Sequence, residues 1–251
     1  MNLPNISDFP KHLHIGAIIF PRMDQIDFTG PFEVLSRRVP DSSFHVIGKE
    51  REPIHDIKGL ILSPEMAIAE APQLDVLVVP GGYGQEELMN DKAVLSFIRE
   101  QAANAKFVFS VCTGALVCGA AGLLKGVHST THWASFHLLP YFGAIPVDRR
   151  VVVDGKHVSA AGVTAGIDGA LTVAALVRGD LAAQQIQLGL EYAPEPPFDS
   201  GTPKTAPAEV LAAAQEATRE FAARRLATAI RIGRELGVDV ERIGAAVAET
   251  P

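Results

Sequence analysis

Cysteine is scarce. Cys112 and Cys118 are the only two in 251 residues, and both fall in one apolar stretch. Two thiols that close together cannot staple a secreted fold, nor can they supply a four-cysteine zinc site. Long apolar runs are also missing. The longest, residues 114–124, is rich in Gly and Ala and too short to span a bilayer. The opening MNLPNISDFPKHLHIG places prolines and an aspartate where a secretory leader needs continuous apolar residues. Basic residues are in deficit, with 22 Lys and Arg against 29 Asp and Glu, a net charge of −7, so the chain lacks the electrostatic footprint of a duplex-binding protein. These absences predict a cytoplasmic protein with no nucleic-acid or membrane partner. What is present is core material: 47% hydrophobic residues against 20% charged, which excludes global disorder.

The apolar material comes in short runs. Residues 14–20 (HIGAIIF), 44–48, 76–79 (VLVV) and 106–111 (KFVFSV) read as strands, with hairpins expected at 54–63 and 151–160. Helices are expected at about 31–37, 85–103, 113–124, 133–141, 164–177, 181–190, 209–236 and 240–248. Strands of four to seven apolar residues alternating with helices predict βαβ units and a mostly parallel sheet covered on both faces. Residues 1–11 read as a tail and 12–207 as the α/β domain. Residues 208–251 read as a helical extension packed on that domain or on a partner subunit. Within the extension, Arg224, Arg225, Arg231 and Arg234 alternate with Glu216, Glu220 and Glu235, the pattern of a solvated helix face.

In such a sheet, reactive groups gather at the C-terminal ends of the strands. Three segments meet that criterion: Asp27 after the first strand, Gly81-Gly82 after VLVV, and Cys112 after KFVFSV. A sharp strand-to-helix turn at Ser110-Val-Cys112-Thr-Gly114 would lift the sulfur above the sheet edge, and the helix N-terminus would favour thiolate. Cys118, mid-helix among apolar neighbours, reads as structural. Gly81 and Gly82 can present backbone N–H groups which, with that of Thr113, would form an oxyanion-hole-like set. A carboxyl at Asp27 beside a thiolate can be kept protonated and donate its proton; alone, it is also an ordinary helix N-terminal acid. His128 and His132 have i, i+4 spacing, but Ser-Thr-Thr between them is a poor helix former, which disfavours a metal pair. His132 remains a candidate partner for Cys112 through space. Trp133, Tyr83 and Phe142 are candidate pocket-lining residues, and Thr164 joins His132 and Trp133 as a possible supporting residue.

The segments FVFSVCTGALVCGAAGLLKGVHSTTHW (107–133), VPGGYG (79–84) and DFTGPFEVL (27–35) resemble the ThiJ/PfpI superfamily. The resemblance extends to GVTAGIDGALTVAA (162–175) and QLGLEYAPEPPFDSGTP (187–203), and the DFTGP segment combined with LEYAPEPPF narrows it to the isonitrile hydratase branch. It covers about residues 14–207. The resemblance implies a flavodoxin-like three-layer sandwich of the class I glutamine amidotransferase-like type, with Cys112 as nucleophile and Asp27 as the acid touching it. It further implies that Thr113 and Gly82 line the pocket, that the chain is a homodimer acting on a small molecule, and that no metal or organic cofactor is needed. Thr113 stands where related proteases carry a histidine, which argues against a protease triad. Two alternatives stay open: deglycase or glyoxalase chemistry on α-oxoaldehydes with the same cysteine, and a non-enzymatic sensor domain like those of AraC-type regulators.

Overall fold

The computed structural model describes residues 9–248; most of the tail expected at 1–11 lies outside them. In chain order the elements are β1 (Leu13–Ile19), α1 (Gln25–Arg38), β2 (Ser42–Gly48), β3 (Ile54–His55), β4 (Ile61–Leu62), β5 (Met66–Ala67), β6 (Val76–Val79), α2 (Gln85–Leu88), α3 (Lys92–Asn104), β7 (Phe107–Val111) and α4 (Gly114–Ala120). Then follow β8 (His128–Ser129), a 3-10 stretch Trp133–Phe142, β9 (Ile145–Pro146), β10 (Val151–Asp154), β11 (His157–Ala160), α5 (Ala165–Arg178), α6 (Asp180–Gly189), α7 (Ala208–Glu235) and α8 (Val240–Ala248).

Seven strands form the central sheet in the order β10-β11-β7-β6-β1-β2-β5. Neighbouring strands are parallel except for the β10–β11 hairpin. One face carries α1, α5 and α6; the other carries α2, α3, α4, the 3-10 stretch and α7. This is the three-layer sandwich expected from the alternation of short apolar strands and helices. Every residue of β6 and β7 is buried, because helices cover both faces and no strand side is left for polar groups. The chain starts mid-sheet at β1, winds outward to β2, then returns to lay β6 on the other side of β1. The direction of winding therefore reverses between β1 and β6, and a crevice opens beyond the carboxyl ends of those two strands.

Several boundaries differ from expectation. The first helix begins at Gln25, capped by Asp24, whose side chain accepts from the Ile26 N–H at 3.1 Å. Asp27 is therefore inside the first turn rather than ahead of it. The helix expected over 85–103 is two helices, because Asp91 accepts from Ala93 and Val94 N–H and starts α3 afresh. The helix after Cys112 stops at Ala120, where Gly122 turns the chain at φ +78°. Residues 192–207 are irregular, and α7 packs on the 3-10 stretch and on α4 of its own chain. Among the described residues, no helix is long and apolar enough to cross a membrane.

Candidate active site

Cys112 stands between β7 and α4 with φ +53°. A non-glycine residue in this left-handed region costs about 1–3 kcal/mol, and the surroundings hold it there. Its N–H donates to Ala160 O at 3.0 Å, anchoring it to β11. Its carbonyl accepts from Thr131 Oγ1 at 2.7 Å. The turn aims the side chain at the crevice between β1 and β6.

Asp27 reaches the same place from α1. Its Oδ2 accepts from the Gly81 N–H at 2.9 Å. Its Oδ1 is buried with no N–H or hydroxyl donor, and the Cys112 side chain is the hydrogen-bonding neighbour that remains. Gly82 has φ +123°, and a Cβ there would lie 2.2 Å from Asp24 N; only glycine lets this loop press against the start of α1. Its N–H donates to Thr113 Oγ1 at 3.0 Å. The expected oxyanion set is therefore not formed as such. The Gly81 N–H holds Asp27, the Gly82 N–H holds Thr113, and the Thr113 N–H is hydrogen-bonded to the Cys112 sulfur. The glycine loop acts on the protein's own groups, fixing acid and thiol relative to one another.

The protonation state of the acid matches expectation, and that of the thiol departs from it. Asp27 is fully buried; burial, reinforced by the charge of Asp24, pushes its pKa up to about 8 against the opposing bonds from Gly81 and Cys112. Cys112 is 5% exposed. Burial raises its pKa well above the ordinary thiol value, and Asp27 raises it further. The Thr113 N–H and the Arg225 charge pull it back, but desolvation wins. The resting pair near pH 7 is therefore a neutral thiol beside a neutral carboxylic acid, not the exposed thiolate that the helix N-terminus alone would suggest. Cys118 is buried, and desolvation pushes its pKa up to about 12 against a single opposing backbone hydrogen bond.

A cavity of about 180 Å³ opens onto the sulfur, walled by Asp24, Gly82, Tyr83, Thr113, His132, Ala134 and Val163, and roofed by Thr218, Phe221, Ala222 and Arg225 of α7. Tyr83 packs on Phe221 with ring centroids 4.8 Å apart. Burial and the nearby Arg225 lower the His132 pKa to about 4. The ring is neutral, and its Nδ1 accepts from the Ala134 N–H at 3.3 Å. Trp133 and Thr164 do not border this cavity. With His132 and Val163 they line an adjoining hollow of about 530 Å³. Phe142 is not a lining residue at all: it is 1% exposed, and a Cβ on Gly119 would lie 2.6 Å from its ring. His128 bonds Asp154 through Nδ1 at 2.9 Å and shares no helix with His132.

The largest correction is Arg225. Expected on a solvated face, it is 9% exposed and inside the cavity wall. The signal was its spacing: Phe221, Arg225, Ala229 and Ile232 recur at intervals of four, four and three, which places the arginine on the buried face of α7. Thr131 was also missed, and nothing in its local sequence marks it.

A family model described as DJ-1/PfpI family matches residues 14–176. The isonitrile hydratase of Pseudomonas putida is 53% identical over 199 residues, covering 79% of this chain and 87% of that protein. The crystal structure of a ThiJ/PfpI family protein from Pseudomonas syringae superposes with a TM-score of 0.84 at 37% identity, covering 88% of this chain and 90% of the other. Drosophila melanogaster DJ-1beta, at 23% identity and TM-score 0.67 over 73% of this chain and all of its own, shares the fold. Sheet, cysteine turn, acid and glycine loop all fall within the matched span, and the chain belongs to the DJ-1/PfpI family.

Proposed function

We propose that this protein is an isonitrile hydratase, converting R–N≡C and water into the formamide R–NH–CHO, with Cys112 as nucleophile and Asp27 as proton donor. The observation that carries the chemistry is the paired thiol and buried carboxylic acid at the strand edge, beside a small cavity that opens onto the sulfur; the 53% identity to the Pseudomonas putida hydratase supports the substrate class.

An isonitrile carbon carries a lone pair and accepts a nucleophile as it is protonated. The Cys112 sulfur bonds to this carbon, Asp27 delivers its proton there, and the thiol proton passes to Asp27. One C–N π bond is lost, and the product is the thioimidate Cys112–S–CH=N–R. Water then adds across C=N, oxygen to carbon and a proton to nitrogen. The C–S bond breaks as the carbonyl forms, and the hydroxyl proton returns to sulfur through Asp27. Covalent catalysis divides one difficult hydration into two easier additions. A neutral resting pair suits this sequence, because the first step needs a proton as well as a sulfur lone pair. Trp133, Thr164 and His132 line the adjoining hollow, a place for the R group beyond the reacting carbon.

The test is trapping. Incubation with cyclohexyl isonitrile should give a Cys112 peptide heavier by one substrate mass, together with N-cyclohexylformamide. Cys112→Ala should show neither while keeping its melting temperature. Turnover of methylglyoxal in place of isonitriles would instead assign α-oxoaldehyde chemistry, and formamide production by Cys112→Ala would sink the covalent scheme.

A further inference from the structure

The ion pairs along α7 are Arg219 with Glu216, Arg231 with Glu235 and Arg234 with Glu241. Arg225 is not among them. Its guanidinium donates to neutral oxygens, Ser135 Oγ at 3.0 Å and Gly82 O at 3.2 Å, and stacks 4.1 Å from the centroid of the Phe221 ring. Its Nε is buried with no acceptor. A buried cation with no carboxylate in ion-pair contact is costly, and a strongly perturbed charged group lining a cleft marks a candidate functional residue. The Gly82 carbonyl that holds it also accepts from Thr113 Oγ1 at 3.3 Å, so the cation is tied to the loop that positions acid and thiol.

We propose that Arg225 is the electrostatic partner of the Cys112 sulfur, a positioning residue by which α7 stabilises the negative charge that sulfur carries as it is deprotonated and as it is expelled. Arg225 and Cys112 line the same cavity, so a negative charge forming on the sulfur faces the guanidinium, and the Arg225 pKa of about 10 keeps it charged at neutral pH. The other groups around the cavity do not supply this charge. His132 is neutral, Asp24 is an acid that opposes an anion, and Asp27, held neutral by burial, brings no positive charge. Thr113 gives the sulfur one neutral donor. The C-terminal helix is therefore part of the working site rather than an appendage to it.

The effect on turnover rests on the hydratase assignment; the effect on sulfur reactivity does not. The experiment is the rate of Cys112 alkylation by iodoacetamide across about pH 6–10 in the full-length protein, read by peptide mass so that Cys118 is counted apart, with isonitrile kcat measured in parallel. Arg225→Met, which keeps the stack on Phe221, should alkylate about tenfold more slowly at neutral pH, with the profile displaced upward by about one pH unit, and kcat should fall in step. Arg225→Lys should recover to within about threefold of the parent. If the Met variant does not fold, Arg225→Gln removes the charge and keeps a donor. An unmoved pH profile in the uncharged variant, or a Lys variant no faster than Met, overturns the proposal. Absence of isonitrile turnover in the parent would refute the hydratase assignment and leave the alkylation comparison intact.

Discussion

The floor and the roof of the cavity are built on opposite principles. The floor is sheet edge: β1, β6 and β7 end together, and each polar group there is committed to another. Gly81 holds Asp27, Gly82 holds Thr113, Thr131 holds the Cys112 carbonyl. The roof is one face of a largely solvent-exposed helix that places a cation, an aromatic ring and small residues over the sulfur. The contrast teaches how charge is handled. The floor suppresses it, holding acid and thiol neutral by burial, whereas the roof supplies it, in a guanidinium that, among the described residues, donates to neutral oxygens rather than to a carboxylate. On the proposed mechanism, a hydratase acting through this site would draw its proton from the floor and its anion stabilisation from the roof.

The sharpest way to break that contrast is Asp27→Asn, which removes the proton donor without changing shape. Turnover should fall at least tenfold, about 1.4 kcal/mol. Stability should move the other way. The folded state keeps the Asp27 proton up to a pKa of about 8, while the unfolded chain releases it near the ordinary value. The folded state thus binds more protons between those limits, and stability from this group falls as pH rises through them. Asparagine carries no such penalty. Urea denaturation should show the variant more stable by about 1–4 kcal/mol at pH 7 and hardly different at pH 4. In the parent, hydration should decline as pH rises through about 8, where Asp27 loses the proton it donates.

On the roof, Phe221→Ala removes the ring under Arg225 and beside Tyr83. A partly desolvated cation–π contact is worth about 1–2 kcal/mol. We expect kcat/KM for isonitriles to drop about five- to tenfold, mostly through KM, with alkylation of Cys112 less affected than in Arg225→Met. An unchanged KM would show that the ring neither bounds the substrate space nor holds the guanidinium. The smallest effect belongs to the region beneath the floor. Cys118→Ala should cost about 1 kcal/mol of stability through a small cavity and leave both turnover and Cys112 alkylation within twofold of the parent.

The local pattern carried the sandwich. VLVV and FVFSV are uninterrupted apolar runs because β6 and β7 are covered on both faces, and the groups following them were correctly placed at one edge. Helix ends were less legible, because Asp91 restarts a helix within an otherwise helical pattern through two side-chain hydrogen bonds. At the site, Cys112, Asp27 and the glycine loop could be found from their position after strands. What the glycines do could not: whether an N–H faces a ligand or a neighbouring side chain depends on contacts between residues 54 and 31 positions apart.

The residues themselves thus determined that strands alternate with helices and that a thiol and a carboxyl emerge at the same edge, since periodicity and strand-end position are local properties of the chain. The charge state of that pair and the conversion of a surface-like arginine into a cavity wall were decided only by tertiary structure. Desolvation and Coulomb attraction depend on what lies within a few ångströms in space, and residue 225 comes within reach of residue 112 only once α7 has docked on the sheet domain.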